Sequence, residues 1–405
     1  MKRLSNINYI YGNPENGIEY DWDLIFKELR NMLKKCKAPK GLYDPTNSRI
    51  KDYYWNVFMS ERSSSKTTQF LLLCLVMNAL YGTVGVYVRK LINQTTRTYN
   101  NDLFKIITKP EYGYVEYLTD GKYNDIIVNV TSKRAFYIHR DKDGVITDTS
   151  KDSIIDILHV EDSGRYRSAY NNPVGDMIIF DEFATGIYTP DEFINFSNNI
   201  LATVRRERIN VHVCMLSNTV SPYNQYLKEL GVAAHVAKMH KGDCAVITAK
   251  LGARVYVEYL DVEMHKTEKF KKAALDYYGF ENPLLKSIYG GEWEYKNFPR
   301  LPKEIMEKTE VLYRDIYIKY MAQYRCIEVR GGEIPCIRIR PYYKVPDDNA
   351  TVFTVDEAEA IKPNIYLANR VNMKFLLWAR AQGRVYYATN EDGIILEEFT
   401  KLLKI

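Results

Sequence analysis

The sequence predicts an α/β chain, a sheet of buried strands fed by crossover helices, followed by a smaller α+β C-terminal part. Three observations predict it. Short apolar runs ("YYWNVFM", "VGVYV", "DMIIFDE", "NVHVCML", "CAVITA" and "RVYVEYL") recur from Tyr53 to Leu260 and have the length of buried strands. Helical stretches such as "TPDEFINFSNNILATV" separate several of them, the alternation a parallel sheet requires. Near the end, "YRCIEVRGGEIPCIRIRPYY" reads as a hairpin around Gly331–Gly332, and "EEFTKLLKI" as a closing helix.

The organisation follows from composition shifts. With 405 residues and 46% apolar content, the chain can build two or three cores. Residues 1–42 read as a leader in which "WDLIFKELRNMLKKCK" places Ile25, Leu29, Met32, Leu33 and Cys36 on one helical face. Residues 43–262 carry the alternating pattern, 263–303 a lysine-rich linker, and 304–405 a separate domain. Runs between Leu103 and His159 ("YGYVEYL", "DIIVNV", "AFYIH") read as a meander inserted into the sheet.

Bulk chemistry excludes some functions. A net charge of +5 permits nucleic acid as a partner but not a polybasic, histone-like mode. The six cysteines (36, 74, 214, 244, 326 and 336) form no C-x-x-C pair, so reduced thiols are expected. His235, His240 and Cys244 lack a fourth zinc ligand at regular spacing. The N-terminus has no apolar core of a signal peptide. Phe70–Val88, interrupted by Asn78, Gly82 and Gly85, reads as helix, turn and strand rather than a bilayer span.

One stretch carries chemistry. "SERSSSKTTQF", Ser60–Phe70, sits between an apolar strand and an apolar helix, with Lys66 and Thr67 where a phosphate-binding loop has its lysine and Mg²⁺-binding hydroxyl. Ser60 and Ser65 replace the two usual glycines, and a serine with positive φ costs about 1 kcal/mol. Arg62 would add charge, and Ser63 and Ser64 complete the loop. The same residues also suit a serine-rich turn capping a helix.

"DMIIFDEF" favours the phosphate loop. Asp181 and Glu182 end a buried strand, where one carboxylate can hold Mg²⁺ and the next can polarise water. Ser217 and Asn218, at the tip of "NVHVCMLSN", are placed to sense a terminal phosphate. Arg205, Arg206 and Arg208 in "RRER" either complement a helix dipole or act as an arginine finger in a neighbouring subunit.

The order "VFMSERSSSKTT", "VGVYVRK", "DMIIFDEF", "ATVRRERINVHVCMLSNTVSPYNQY", together with the lead-in "LYDPTNSRIKDYYWNVF", resembles the DNA-packaging motor ATPases of small short-tailed phages of the phi-twenty-nine type. The resemblance implies an additional-strand, terminase-like P-loop ATPase domain and a ribonuclease H-like C-terminal domain. It implies ATP and Mg²⁺ as cofactors, and translocation of double-stranded DNA into a preformed capsid. A homo-oligomeric ring, a pentamer, would stand at the prohead portal in the host cytoplasm, with structural prohead RNA as a further partner and no membrane.

By that resemblance, Ser60, Arg62, Ser63, Ser64, Ser65, Lys66, Thr67, Ser217 and Asn218 bind nucleotide, and Thr67 and Asp181 hold Mg²⁺. Glu182 and Lys66 act in catalysis, with Arg205 acting in trans and Arg206 as its alternate. Arg89, Lys90, Arg165 and Arg167 match basic positions that touch DNA or a neighbour. R-x-x-x-K-[ST] loops occur among terminase-like ATPases, and Arg62 with Lys66–Thr67 fits that form.

The C-terminal acids Glu328, Asp347, Asp348 and Asp392 show no clear two-metal arrangement, so that domain reads as non-cutting. Arg325, Arg330, Arg338 and Arg340 fall on its hairpin, and the last three share a parity that makes part of one face basic. Two other functions fit less of the chain: a helicase-like translocase, and a non-catalytic nucleic-acid-binding protein with a decayed phosphate loop.

Overall fold

The computed structural model describes the chain apart from residues 2, 61–63, 92–101, 162, 166–175, 185–190, 219–223, 250, 263–297, 321, 334 and 404–405. It divides into two compact units, one spanning Met1–Thr185 and Asp191–Glu294, the other centred on Tyr295–Ile405.

The first unit opens with helix α1 (Trp22–Lys35). Asp21 caps it by accepting from the Leu24 N–H at 2.9 Å, and Lys34 and Lys35 face the negative end of its dipole. Ile25, Leu29 and Met32 recur at helical spacing and are fully buried in the main core, Cys36 is buried and Leu33 half-buried. The leader helix thus packs into the same core as the apolar helix after the serine loop. Leu29→Ala should lower unfolding free energy by about 2–5 kcal/mol, read from a urea midpoint at unchanged m-value.

Beyond α1 come β1 (Trp55–Ser60), α2 (Lys66–Tyr81), β2 (Gly85–Arg89), α3 (Tyr114–Leu118), β3 (Asp125–Asn129), β4 (Arg134–Arg140), β5 (Ile146–Thr149), β6 (Ile155–His159) and β7 (Met177–Asp181). A helical stretch then runs through α4 (Glu192–Asn195), a π segment (Phe196–Leu201) and α5 (Ala202–Arg205). It leads to β8 (His212–Asn218), α6 (Gln225–Glu229), α7 (Ala233–Val236), β9 (Cys244–Thr248) and β10 (Arg254–Tyr259).

The strands form one sheet in the order β3-β4-β6-β2-β7-β8-β1-β10-β9, with β5 on β4. From β6 to β10 all neighbours are parallel, and β8 lies between β1 and β7. That inserted strand spreads the ends of β1 and β7 apart and puts Ser60 opposite Asn218. Six central strands are buried along nearly their whole length, which is why they read as unbroken apolar runs.

Two local expectations change. "YGYVEYL" is no strand: Gly113 turns left-handed (φ +63°) and starts α3, burying Tyr114, Val115 and Leu118 at helical spacing. β6 was not apparent in the sequence, because Asp156 interrupts its apolar run. In the fold Asp156 is buried, accepts from the Ser153 hydroxyl at 3.2 Å and pairs with Arg134 at 3.5 Å. The expected meander exists as antiparallel β3, β4 and β5. Phe70–Val88 is split between α2 and β2 by Gly82 (φ +73°). Among the described residues no helix is long and apolar enough to cross a membrane. The six cysteines are unpaired, and all but Cys244 are buried.

The second unit contains α8 (Lys303–Lys308), β11 (Glu310–Tyr320), β12 (Gln323–Gly331), β13 (Cys336–Tyr342), β14 (Thr351–Thr354), β15 (Ile365–Leu367), α9 (Lys374–Ala381), β16 (Val385–Tyr387) and α10 (Asn390–Leu402). The sheet order is β15-β14-β11-β12-β13-β16, with only β12 antiparallel to its neighbours. One face packs Ile318, Ile327 and Ile339 against Leu376, Leu396 and Phe399 of α9 and α10.

The hairpin forms as expected, but its basic stripe is not a free cationic face. Arg330, Arg338 and Arg340 gather around buried Glu328, with Arg338 at 3.3 Å and Arg330 at 3.6 Å. A lone carboxylate in a half-dry sheet face would be costly, and the three guanidiniums hold Glu328 below the ordinary carboxylate range despite its burial. Arg325 faces Asp392 at 2.6 Å. The lysine-rich linker up to residue 297 lies outside the described residues.

Candidate nucleotide site

The site lies at the carboxyl ends of β1, β2, β7 and β8, where an open parallel sheet presents loops and helix N-termini. Ser65 stands just before α2 with φ +60° and ψ +20°, the left-handed conformation glycine usually takes. Its side chain makes no capping hydrogen bond. The opening N–H groups of a 16-residue helix are therefore left without the side-chain acceptor that a capping serine supplies. This tells against the capping-turn reading and leaves a pole that favours an anion.

Lys66 is only 6% exposed. Its ammonium donates to the hydroxyls of Ser60 and of Ser64 (3.1 Å) and to Asn218 Oδ1 (3.4 Å). Ser60 Oγ in turn donates to Ser64 Oγ at 2.7 Å. Burial pushes the lysine down to about 8, partly offset by Asp181 and Glu182. The folded chain thus penalises the charged form. This group's contribution to stability is least favourable below about pH 8 and improves as pH rises from there toward lysine's ordinary value.

The acidic half is held from three sides. The Thr67 hydroxyl donates to Asp181 Oδ2 at 3.0 Å and the Tyr87 hydroxyl donates to the same oxygen at 2.7 Å. Arg89 donates to Tyr87 (2.9 Å), lies 3.5 Å from Asp181 and pairs with Glu182. Glu182, just past β7, has φ +53° and a side chain 38% exposed. Two cations, Lys66 and Arg89, thus face two carboxylates across the tips of β1, β2 and β7.

The fold brings together Ser60, Ser64, Lys66, Thr67, Asp181, Glu182 and Asn218. Ser217 is buried beside Asn218 and donates to its carbonyl at 2.8 Å. Arg62, Ser63 and Arg167 lie outside the described residues, as does the side chain of Arg165, whose backbone ends a short 3-10 turn.

Arg89 and Lys90 depart from the surface role expected of them. Each is 5% exposed. Arg89 belongs to the carboxylate cluster, and Lys90 pairs with Glu192 at 2.9 Å, an oxygen that also accepts from Tyr226 (2.6 Å). The alternation in "VYVRK" puts Tyr87 and Arg89 on one face, a local signal that these two side chains meet, while the carboxylates they reach come from the sheet order.

Arg205 is not brought to this site. It is exposed at the end of α5 and lines an open cleft with Tyr54, Trp55, Val211 and Val213, at the amino ends of β1 and β8. The six residues of β1 put about 17 Å between the two ends. Arg206 is exposed with φ +46°. Arg208 is buried and pairs with Asp176 at 2.8 Å, so a structural partner occupies it.

No family model matches this sequence, and no curated protein does. Among solved structures, the chain is similar to the Phi-28 gp11 DNA packaging motor, with TM-score 0.53 and 16% identity over 91% of this chain and 99% of that one. It is likewise similar to the bacteriophage Phi-29 viral genome packaging motor assembly, with TM-score 0.54 and 16% identity over 89% and 99%. At that identity the likeness speaks to architecture, and it spans both units. The chain has the fold of these two packaging-motor proteins.

Proposed function

We propose that the chain is the ATP-hydrolysing subunit of a motor that drives double-stranded viral DNA into a preformed capsid. One observation carries it: the N-terminus of α2, which Ser65 does not cap with its side chain, with buried Lys66 behind it and Thr67 bonded to Asp181 across an inserted strand. Thr67 and Asp181 are hard oxygen donors suited to Mg²⁺, which keeps its remaining positions for water and phosphate. Bound there, the metal would neutralise phosphate charge. Lys66 and the α2 N–H groups would hold the phosphates, Asn218 would meet the terminal one, and Glu182 would orient and deprotonate water. Arg89, which balances both carboxylates, would yield Asp181 as the metal arrives.

Arg205, remote from its own chain's Lys66, is suited only to a neighbour's site, which supports action in trans within a ring. The strand order of the second unit, with β12 alone antiparallel, supports a ribonuclease H-like domain. Glu328 engaged by three arginines and Asp392 by Thr389 and Arg325 support a non-cutting one. Portal and prohead RNA are its proposed docking partners, with a pentameric ring acting at the prohead in the host cytoplasm.

The test is Mg²⁺-dependent ATP hydrolysis by the full chain, with and without linear double-stranded DNA. Stimulated turnover without unwinding of a forked duplex is expected. Unwinding would favour a helicase, and failure to bind ATP a decayed site. A further expectation follows from Lys66: phosphate contact should restore its proton, so proton uptake on ATP binding should rise from about half a proton near pH 8 to nearly one near pH 9. Buffers of different ionisation enthalpy would reveal it calorimetrically, and Lys66→Ala should abolish it.

A further inference from the structure

The leader touches the arginine segment more closely than sequence order suggests. Arg205 and Arg208 close a tight turn on each other: Arg208 N–H donates to Arg205 O at 2.8 Å, and Arg205 Nε donates to Arg208 O at 2.9 Å. Within that turn Arg206 has φ +46° and ψ −119°, a conformation that persists only where its surroundings enforce it.

The enforcement comes from residues 16–20. Asp176, 1% exposed, accepts from Arg208 with one carboxylate oxygen (2.8 Å) and from the Tyr20 hydroxyl with the other. Ile209 N–H donates to Asn16 O at 3.2 Å, and the Asn210 amide donates to Ile18 O. Gly17 (φ +105°) permits the approach: a Cβ there would stand 2.3 Å from Asn210 Oδ1. The leader therefore grips both the side chain and the backbone of the segment that follows Arg205.

We propose that Tyr20 and Asp176 are positioning residues that, through Arg208, set the turn presenting Arg205 to a neighbouring subunit. The inference rests on the trans reading of Arg205 and adds the leader to that machinery. It predicts a defect in only one direction. A subunit with a loosened turn should bind Mg–ATP normally and hydrolyse it when its neighbour supplies a sound arginine, yet fail to supply one itself.

The experiment uses full-length subunits with Mg–ATP and double-stranded DNA. Asp176→Asn alone should lose on the order of 10²-fold in turnover, the scale of a misplaced catalytic group, at unchanged nucleotide affinity. Mixed with Glu182→Gln subunits, which lack the water-activating carboxylate but keep the turn, it should regain part of that activity. Tyr20→Phe, which removes one hydroxyl and leaves the ion pair, serves if Asp176→Asn fails to fold, and should show a smaller loss with the same rescue. Unchanged turnover in both variants overturns the proposal. So does a loss that Glu182→Gln subunits do not rescue while they rescue Arg205→Ala. No rescue of Arg205→Ala itself would instead remove the trans reading, and this inference with it.

Discussion

Glu182→Gln is expected to cut DNA-stimulated turnover by about 10²–10⁴-fold, the range ascribed to a positioned general base, with Mg–ATP affinity little changed. Glutamine keeps the shape and the hydrogen-bonding oxygen but cannot accept water's proton. Glu182 stands one residue beyond Asp181, with φ +53° and its side chain partly open to solvent, so it can meet water while Asp181 stays buried. Losing the Arg89–Glu182 pair leaves Arg89 its contact with Asp181, which limits collateral disruption. Phosphate release and nucleotide titration on the same preparation check this. Near-normal turnover would move water activation to another residue.

Lys66→Ala should weaken nucleotide binding by about 1.5–3 kcal/mol, roughly 10- to 150-fold, the worth of a charge-assisted hydrogen bond, and should abolish hydrolysis. Among the described residues, this side chain places a positive charge among Ser60, Ser64 and Asn218. Thermal stability separates lost binding from misfolding. Because burial penalises the ammonium, the nucleotide-free variant should melt close to wild type. A large fall in its melting temperature would mean that the lysine serves the fold more than the ligand.

The sheet was legible because its strands are buried on both faces, so apolar runs marked them without alternation. β6 escaped notice because one buried, paired aspartate broke its run, and α3 was misread because four apolar or aromatic residues in a short stretch suit either period. The site was legible where chemistry is local, as in Lys66–Thr67 and Asp181–Glu182. Partnerships made by the sheet order were not: nothing in the chain around Arg89 or Lys90 announces Glu182 or Glu192. The same holds for Tyr20, Asp176 and Arg208, which are separated by 156 and 32 residues and meet because β7 and β8 adjoin and the leader bonds to the segment before β8. The serine loop shows what composition conceals, since Ser65 adopts a glycine's conformation without being one.

The strand inserted between β1 and β7 also works as a push-rod. β8 begins four residues beyond Arg208 and ends at Asn218, which touches Lys66. Seven residues of strand, about 20 Å from end to end, are clamped on both sides by parallel neighbours and cannot shorten. On the proposed function, a backbone shift of Asn218 as a terminal phosphate arrives or departs would be passed along this strand toward the turn carrying Arg205. In a ring where that arginine serves the next site, each subunit's own nucleotide would set its neighbour's timing. Sequential firing would then require no separate signal beyond the stiffness of one strand.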